Sequence, residues 1–443
     1  MNQQWSKYNR IAQINGAHYI YNSLSNALLE LDDESLALLR KLENGGSLED
    51  VPAEVRQQLE DNKIIADDEA ERLRIKFQTQ RNRFDTSHLS LTINPTLDCN
   101  FRCPYCFEAD AHHKHYMTEE VEDAIVNAIN TKYSSVEGIF VTWFGGEPLM
   151  NFKSLKSLSQ KIIAIGKPFT ADIITNGYLL TDSVVNQIDE LKIDSLQITV
   201  DGPKDVHDAR RVLVGGGGTF DIINQNIQRV LKNSGAHVVI RVNVDGSNAE
   251  NYVDVCRHFK KTISEEYHKR VMVTPGFVEA VVNTNTCKSS CNFDRQRQAE
   301  FLLDIFKRYK LAPWGFYPSH SRYECPVRNL NTMVIGSQGE LYRCWNDVGR
   351  PEKTVGSIVG NARPTAQQSR VLLDYLAAGD ALEDSTCRGC FHFPTCGGGC
   401  PYERIHNQHH PEQPADPCPH ILGNLDAFME AHIALRELQA KRE

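Results

Sequence analysis

Three cysteines, Cys99, Cys103 and Cys106, stand in the order C-x3-C-x2-C directly after a strand-like run, LSLTINP. With 13 cysteines in 443 residues, chance supplies this pattern about once in a hundred such chains, so the spacing is a signal. Thiolates are soft ligands, and three on one loop suit iron–sulfur chemistry. No fourth thiolate is nearby, so one iron of a four-iron cluster would stay open to a small molecule, as catalytic metal sites keep a position free. A structural zinc site is the alternative, with Asp98 or a distant residue as fourth ligand, and the spacing alone leaves it open. A second group is denser. Cys387, Cys390, Cys396 and Cys400 read C-x2-C-x5-C-x3-C, a pattern expected by chance a few times in about ten thousand. Cys325 and Cys344 precede it and Cys418 follows.

The chain that carries these thiols reads as cytoplasmic. Its start, MNQQWSKYNR, has no apolar core and no small-residue cleavage site. No stretch approaches the roughly 20 apolar residues of a membrane helix. Thiols stay reduced in the cytoplasm, where an odd cysteine count points to metal binding or catalysis rather than to disulfides. A net charge of −9 sets up no global field for nucleic acid, so neither a nucleic acid nor a membrane is expected as partner. Hydrophobic residues make up 41% and charged residues 24%, an ordinary globular balance, and the length implies two or three units.

The elements that must position the thiols follow in order. Residues 1–70 read as a separate winged-helix-like unit. YNRIAQI and HYIYNSL alternate around the turn dipeptide Asn15-Gly16, Asp32 and Asp33 open a helix ended by paired glycines, and VPAEVRQQLEDN is a second helix. A capping subdomain is the plainer reading of that unit. Residues 71–88, charged and largely non-periodic, read as a linker. From residue 89 to 310, six strand-like runs (LSLTINP, GIFVTWF, ADIITNG, SLQITVDG, HVVIRVNVDG, RVMVTPG) alternate with helical patterns. That alternation gives an α/β fold, a partial (β/α)6 barrel with its working loops at the C-terminal ends of the strands. Residues 311–443 break into loops, glycines and cysteines, a cysteine-rich domain held by metal cross-links.

C-x3-C-x2-C after the first strand of a six-unit barrel resembles the radical S-adenosylmethionine (SAM) enzymes. The resemblance implies that Cys99, Cys103 and Cys106 hold a [4Fe–4S] cluster whose open iron chelates SAM, and that reductive cleavage gives methionine and a 5′-deoxyadenosyl radical. It places Tyr105 against the adenine and Gly145, Gly146 and Glu147 of TWFGGEP at the methionine end. It also implies SAM-binding roles for Thr175 and Asn176 of ITNG, Gln197 and Thr199 of QITVDGP, Arg211, and Arg241 with Asn243. Each of these polar residues has a plainer role in capping a turn. His207 and Asp208 read as a local hydrogen-bonded pair.

The seven later cysteines resemble the SPASM extension of peptide-modifying radical enzymes. The likeness assigns Cys387, Cys390, Cys396 and Cys418 to one auxiliary [4Fe–4S] cluster and Cys325, Cys344 and Cys400 to another, making three clusters. The second auxiliary set lacks a fourth ligand, for which Cys287, Cys291, His320 or a substrate thiolate are candidates. Cys256 reads as a packing residue, and the histidine groups around His113 and His409 as solvated loops. The first unit resembles the leader-recognition modules of ribosomal-peptide maturases. Together these imply a cross-linking oxidoreductase acting on a leader-bearing precursor peptide, with a flavodoxin or ferredoxin as electron donor. Sulfatase (formylglycine) maturases and quinone-cofactor maturases compete. The former place Asp directly after the cysteine matching Cys344, where this chain has Trp345, although Asp347 could act as general base. A non-catalytic iron–sulfur or zinc scaffold is the reading from a different class.

Overall fold

A computed structural model describes residues 3–111, 113–278, 293–318 and 325–441. Cys287, Cys291 and His320, the candidate fourth ligands, lie outside the described residues. The chain divides into two compact units: Met1–Phe84 with Ala299–Pro326 and Gly379–Glu443, and Asp85–Gln298 with Val327–Ala378.

The first unit opens with β1 (Gln4–Trp5) and the hairpin β2 (Asn9–Ile14) and β3 (Ala17–Asn22). Asn15 and Gly16 turn it at φ 51° and 87°, the paired left-handed backbone that a two-residue hairpin loop needs. A further strand, β4 (Ala27–Leu31), completes an antiparallel sheet in the order β2-β3-β4. Asp32 caps α1 (Asp33–Glu43), its carboxylate accepting the Ser35 amide at 2.8 Å. Then come α2 (Ala53–Asp61), β5 (Ile65–Ala66, antiparallel to β1) and α3 (Asp68–Arg83).

Helix α3 occupies most of the stretch that composition marks as a linker, and it corrects that expectation. Its charges conceal a helix, but they are placed as a helix requires. Asp67 accepts the Ala70 amide, acidic residues fill the first turn, and Arg81 and Arg83 sit in the last. Buried Arg83 pairs with Asp380 at 2.8 Å.

The second unit is built on β6 (His88–Ile93), α4 (Glu119–Thr131), β7 (Gly138–Trp143), α5 (Phe152–Ile163), β8 (Phe169–Thr175), α6 (Asp182–Val185), β9 (Ile193–Thr199), α7 (Lys204–Arg210), α8 (Phe220–Asn233), β10 (His237–Val244), α9 (Tyr252–Thr262) and β11 (Val271–Phe277). These six strands pair in parallel, each with the next, as the sequence predicts. Parallel neighbours need a crossover, and the helices supply it. Alternate residues such as Leu89, Leu91 and Ile93, or Val238, Ile240 and Val242, are buried with the apolar stripes Ile125–Ile129 of α4, Leu155–Leu158–Ile162 of α5 and Ile223–Ile227–Val230 of α8. The opposite set, including Thr92, Thr142, Asp172, Gln197 and Arg241, is half-exposed and polar.

After α10 (Arg295–Tyr309), β12 (Thr332–Ile335) pairs in parallel with β6 and leads into the antiparallel β13 (Glu340–Tyr342) and β14 (Gly356–Ser357), followed by α11 (Ala366–Leu376). This shared sheet draws residues 327–378 into the barrel unit rather than into one domain with the rest of 311–443. The remaining helices, α12 (Ser385–Gly389), α13 (Phe393–Cys396), α14 (Pro401–His409) and α15 (Leu425–Ala440), belong to the first unit. There Leu425 and Met429 pack with Ile14 and Tyr21, and Arg10 pairs with Asp426. No described helix is long and apolar enough to cross a membrane.

Leu155, wholly buried on α5, tests the helix layer. Leu155→Ala is expected to cost about 2–5 kcal/mol, read as a clear fall in Tm by circular dichroism; an unchanged Tm would show that this stripe is not core.

Candidate active site

Residues 94–111, which join β6 to the approach of α4, carry Cys99, Cys103 and Cys106. The loop is held by backbone bonds from both sides. Arg102 N donates to Val212 O at 2.8 Å and Val214 N to Asn100 O at 2.8 Å, so the segment after α7 closes on it. Within the loop, Asp98 accepts the Cys99 amide and the Tyr116 hydroxyl, both at 2.9 Å, and Cys106 N donates to Cys103 O. Asp98 is therefore committed to the loop's own donors.

The turn after β7 presses on the same loop from another direction. Gly146 N donates to Thr96 O and Glu147 N to Asp98 O. A Cβ on Gly145, whose φ is +107°, would lie 2.5 Å from Thr96 O. One on Gly146 would lie 2.4 Å from Asp98 O and 2.5 Å from Leu97 O. The glycines expected to approach a ligand thus approach the cysteine loop's backbone, which only residues without a Cβ can do.

Glu147 is fully buried. One carboxylate oxygen accepts the Thr175 hydroxyl at 2.7 Å and the Leu149 amide at 3.0 Å, and the other accepts the Asn176 amide at 2.8 Å. Three of about four acceptor positions are filled, leaving one for a further donor. Burial pushes its pKa up, and these three bonds pull it back. Asn176, next on the same strand end, donates to Asn100 at 2.6 Å and stands 4.0 Å from Cys99 Sγ.

A third group of expected site residues converges on Tyr105. Its hydroxyl donates to Asp201 and accepts from Arg211 at 2.8 Å and Asn243 at 3.3 Å. The Arg210 guanidinium lies 4.9 Å from the ring centroid, a cation–π placement, and pairs with Asp245 at 2.8 Å. Burial, with Asp201 alongside, holds the phenol protonated despite Arg211. Arg241 donates to Asn243 at 2.8 Å, in space that a side chain on Gly276 would fill. Arg210 and Asp245 carry no motif signal of their own, although NVDG ends a strand, whereas Asp201 belongs to the strand-end run QITVDGP with Gln197 and Thr199. Gln197 and Thr199 sit on β9, the first half-exposed and the second buried, with no bond into the Tyr105 network.

His207 and Asp208 do not pair with each other. Buried His207 contacts the Thr219 hydroxyl at 3.1 Å, and burial with nearby Arg211 lowers its pKa to about 3, so it is neutral. Asp208 accepts the amides of Thr219 and Phe220 and so caps α8.

The loop's chemistry fits an iron–sulfur cluster. Burial pushes Cys99 and Cys106 up to about 12 and raises Cys103, so without metal these are thiols at neutral pH. Asn100 Nδ2, Glu108 Oε1 and Arg211 Nε are buried around them without a partner in the protein, three polar atoms that a bound group would satisfy. Glu108, 5% exposed, is raised to about 8 by burial alone. It is a site group the motifs do not reveal, its one signal being an acid within the apolar PYCFEAD run. Among the described residues no three His, Cys, Asp or Glu side chains are placed to hold one metal ion. A four-iron cluster, in which each thiolate takes its own iron, makes no such demand.

The later cysteines fall into neighbourhoods. Cys396 is raised by burial, with the Cys387 and Cys390 thiols adding to the shift. Cys400 is raised to about 12 by burial and Glu403, and Cys325 contributes. Gly397, Gly398 and Gly399 all have left-handed backbones, and a Cβ on Gly399 would collide with Pro417 O at 1.8 Å. That approach lets Cys400 N donate to Pro417 O at 3.1 Å, beside Cys418. Cys344 is buried in the other unit and opens the turn Trp345–Asp347. Asp347 is fully enclosed: its Oδ2 accepts the Tyr375 hydroxyl at 2.7 Å, its Oδ1 has no partner, and burial raises it to about 6. So placed, it ties the turn to α11 and offers no exposed base. Exposed Trp345 instead lies 5.5 Å from the Phe144 ring, which stacks on Phe107. Cys256 is half-buried on α9 and raised to about 11 by burial.

Residues 93–259 match the Radical SAM superfamily. The sporulation killing factor maturation protein SkfB of Bacillus subtilis is 26% identical over 168 residues, 38% of this chain and 38% of SkfB. Of solved structures, native anSMEcpe with bound AdoMet has a TM-score of 0.59 at 20% identity, covering 80% of this chain and 100% of that one. SuiB of Streptococcus suis has a TM-score of 0.51 at 17% identity, covering 93% and 99%. The chain spans between 38% and 44% of the length of the curated relatives it matches. The structural likeness, at these identities, is one of fold.

The close approach of the two turns gives a test. Gly146→Ala should leave the barrel folded but lower the iron bound by the reconstituted protein by roughly one cluster's worth, since a Cβ has no room beside two carbonyls. Native iron content and an unchanged reduced-cluster EPR signal would show that the approach is dispensable.

Proposed function

From the premise that residues 93–259 form a radical SAM domain, we propose that this protein is a maturase acting on a ribosomally made precursor peptide. It takes a hydrogen atom from the peptide and closes an intramolecular thioether or carbon–carbon link by a net two-electron oxidation. Cys99, Cys103 and Cys106 would hold a [4Fe–4S] cluster that, with SAM bound, would supply a radical able to attack an unactivated carbon. The chain's own residues do the rest. The turn at Gly145 and Gly146 fixes the cysteine loop, and Glu147, held by Thr175 and Asn176, keeps one acceptor position for a donor such as an ammonium group. The Tyr105–Asp201–Arg211–Asn243 network locks the loop's aromatic residue to three strand ends.

The observation that carries the reading is the second set of thiols. Cys387, Cys390 and Cys396 neighbour one another, and Cys325 neighbours Cys400. We assign the first three with Cys418 to one auxiliary cluster and Cys325, Cys344 and Cys400 to another. A reaction that joins two atoms after hydrogen abstraction must shed a second electron, and such clusters accept electrons. A peptide is favoured by the sheet β2-β3-β4, whose outer strand β4 pairs only with β3 among the described residues. An extended leader could add to that edge as a further strand. SkfB, by name a maturation protein of a sporulation killing factor, points the same way. The fold likeness to anSMEcpe favours a second reading, formylglycine formation on a protein substrate. The electron donor we expect is a flavodoxin or ferredoxin.

The test is mass spectrometry of short peptides encoded beside this gene, after anaerobic reaction with reconstituted enzyme, SAM and reductant. Loss of two hydrogens per site, with fragmentation blocked between two residues, is the expected result. Deoxyadenosine formed with every peptide unchanged would overturn the peptide substrate and favour the sulfatase-type reading. Cys103→Ala should bring deoxyadenosine to background; undiminished cleavage would overturn the loop's assignment.

A further inference from the structure

We propose that Arg404 sets the reduction potential of the auxiliary cluster bound through Cys387, donating a charged hydrogen bond to that ligand's sulfur from a guanidinium clamped by Asp384. This rests on the assignment of Cys387, Cys390, Cys396 and Cys418 to one cluster and adds the residue that tunes it.

The geometry is specific. Arg404 Nη1 lies 3.3 Å from Cys387 Sγ, and the side chain is 11% exposed. Every other part of the fork is held. Nη2 binds Asp384 Oδ2 at 2.7 Å, Nε donates to Gly379 O at 3.1 Å, and Nη1 also reaches Gly398 O at 3.5 Å. The second oxygen of Asp384 accepts the amides of Thr386 at 2.8 Å and Cys387 at 3.2 Å, which fixes α12 and its cysteine against the same carboxylate. The sulfur, its backbone and the cation therefore belong to one rigid group rather than to a chance surface contact. The charge is thus directed at the Cys387 sulfur, 3.3 Å from Nη1.

A guanidinium keeps its charge at any ordinary pH and cannot be neutralised by the loss of a proton. Reducing a cluster adds one electron and one negative charge, with no proton needed. A fixed, poorly solvated cation bonded to a ligand sulfur stabilises the reduced form more than the oxidised one and raises the potential. That suits a cluster meant to receive an electron from a substrate radical. A purely architectural Arg404 would also tie α14 to the loop at Gly379, but its loss would change stability and leave the potential alone.

The discriminating measurement is potentiometric EPR on the full-length reconstituted protein, with iron and sulfide assays on every sample. Arg404→Gln, which keeps an N–H donor but not the charge, should lower one cluster's potential by an amount equal to a tenfold change in its oxidised-to-reduced ratio, about 59 mV for a one-electron couple. Arg404→Lys should fall by less, and the cluster on Cys99, Cys103 and Cys106 should not move. Should Arg404→Gln fail to load the cluster, Arg404→Lys and Asp384→Asn carry the test, because each perturbs the fork while a cation remains. Fully loaded variants whose potentials all match the native protein would overturn the role of Arg404 and leave the cluster assignment standing. Native protein carrying iron for only one cluster would overturn both.

Discussion

The constraint on which the barrel's chemistry depends is how closely the turn after β7 approaches the cysteine loop. With Cβ positions at Gly145 and Gly146 falling 2.4–2.5 Å from the carbonyls of Thr96, Leu97 and Asp98, two backbones meet at a separation that any other residue forbids. The approach seats Glu147 directly beneath the loop, where its carboxylate gathers Thr175 and Asn176 from the end of β8. Asn176 in turn reaches Asn100 and Cys99. Three successive strand ends are thereby tied to one short loop, with the first cysteine at the knot. A cluster needs its ligands fixed before iron arrives or by its arrival, and here much of the fixing is done by the protein.

The second tie comes from strands further along the same sheet. Tyr105 is inside the cysteine loop, yet its hydroxyl is bound by residues from the ends of β9 and β10 and from the segment after α7. Two arginines stand here, and they are balanced: Arg210 faces Asp201 and Asp245, while Arg211 binds the phenol and lies over the Phe101 ring. A buried cation without an acid would cost several kcal/mol, and for Arg211 Asp201 is the nearby acid, with Cys103 and Tyr105 also favouring its charge. Burial pushes the Cys99 and Cys106 thiols up to about 12 and raises Cys103, so a metal bound there would have to drive their protons off. Arg211 lowers that barrier for all three cysteines.

Much of this was legible in the sequence because it depends on short-range spacing. The six parallel strands announce themselves by apolar alternation, the Asn15-Gly16 turn by its dipeptide, and the thiols by count and interval. What stayed hidden has physical reasons. Helix α3 is so rich in charge that no apolar period shows, although its cap and end charges follow the dipole. Strand β4 is short and half-exposed, with no alternation to read. The return of β12 to pair with β6 is a long-range contact that no local pattern encodes. Asp347 illustrates the limit of motif reasoning: its type and position suit a base, but Tyr375 on a later helix encloses it. Glu108 illustrates the opposite, an acid with no motif whose burial without a partner marks it as a site group.

The first unit brings the two ends of the chain together in packed hydrophobic clusters. Strands β2 and β3 pack on α15 through Ile14, Tyr21, Leu425 and Met429. Helix α3 sends Ile75 against Ala381, Leu382 and Phe393, the cluster that also touches Cys387 and Cys390. The loops holding Cys387 and Cys390 thus belong to the same compact unit as the sheet β2-β3-β4. Close-packed interiors transmit displacement rather than absorb it. Helix α3 is where a change would be felt at Cys387 and Cys390, through Ile75.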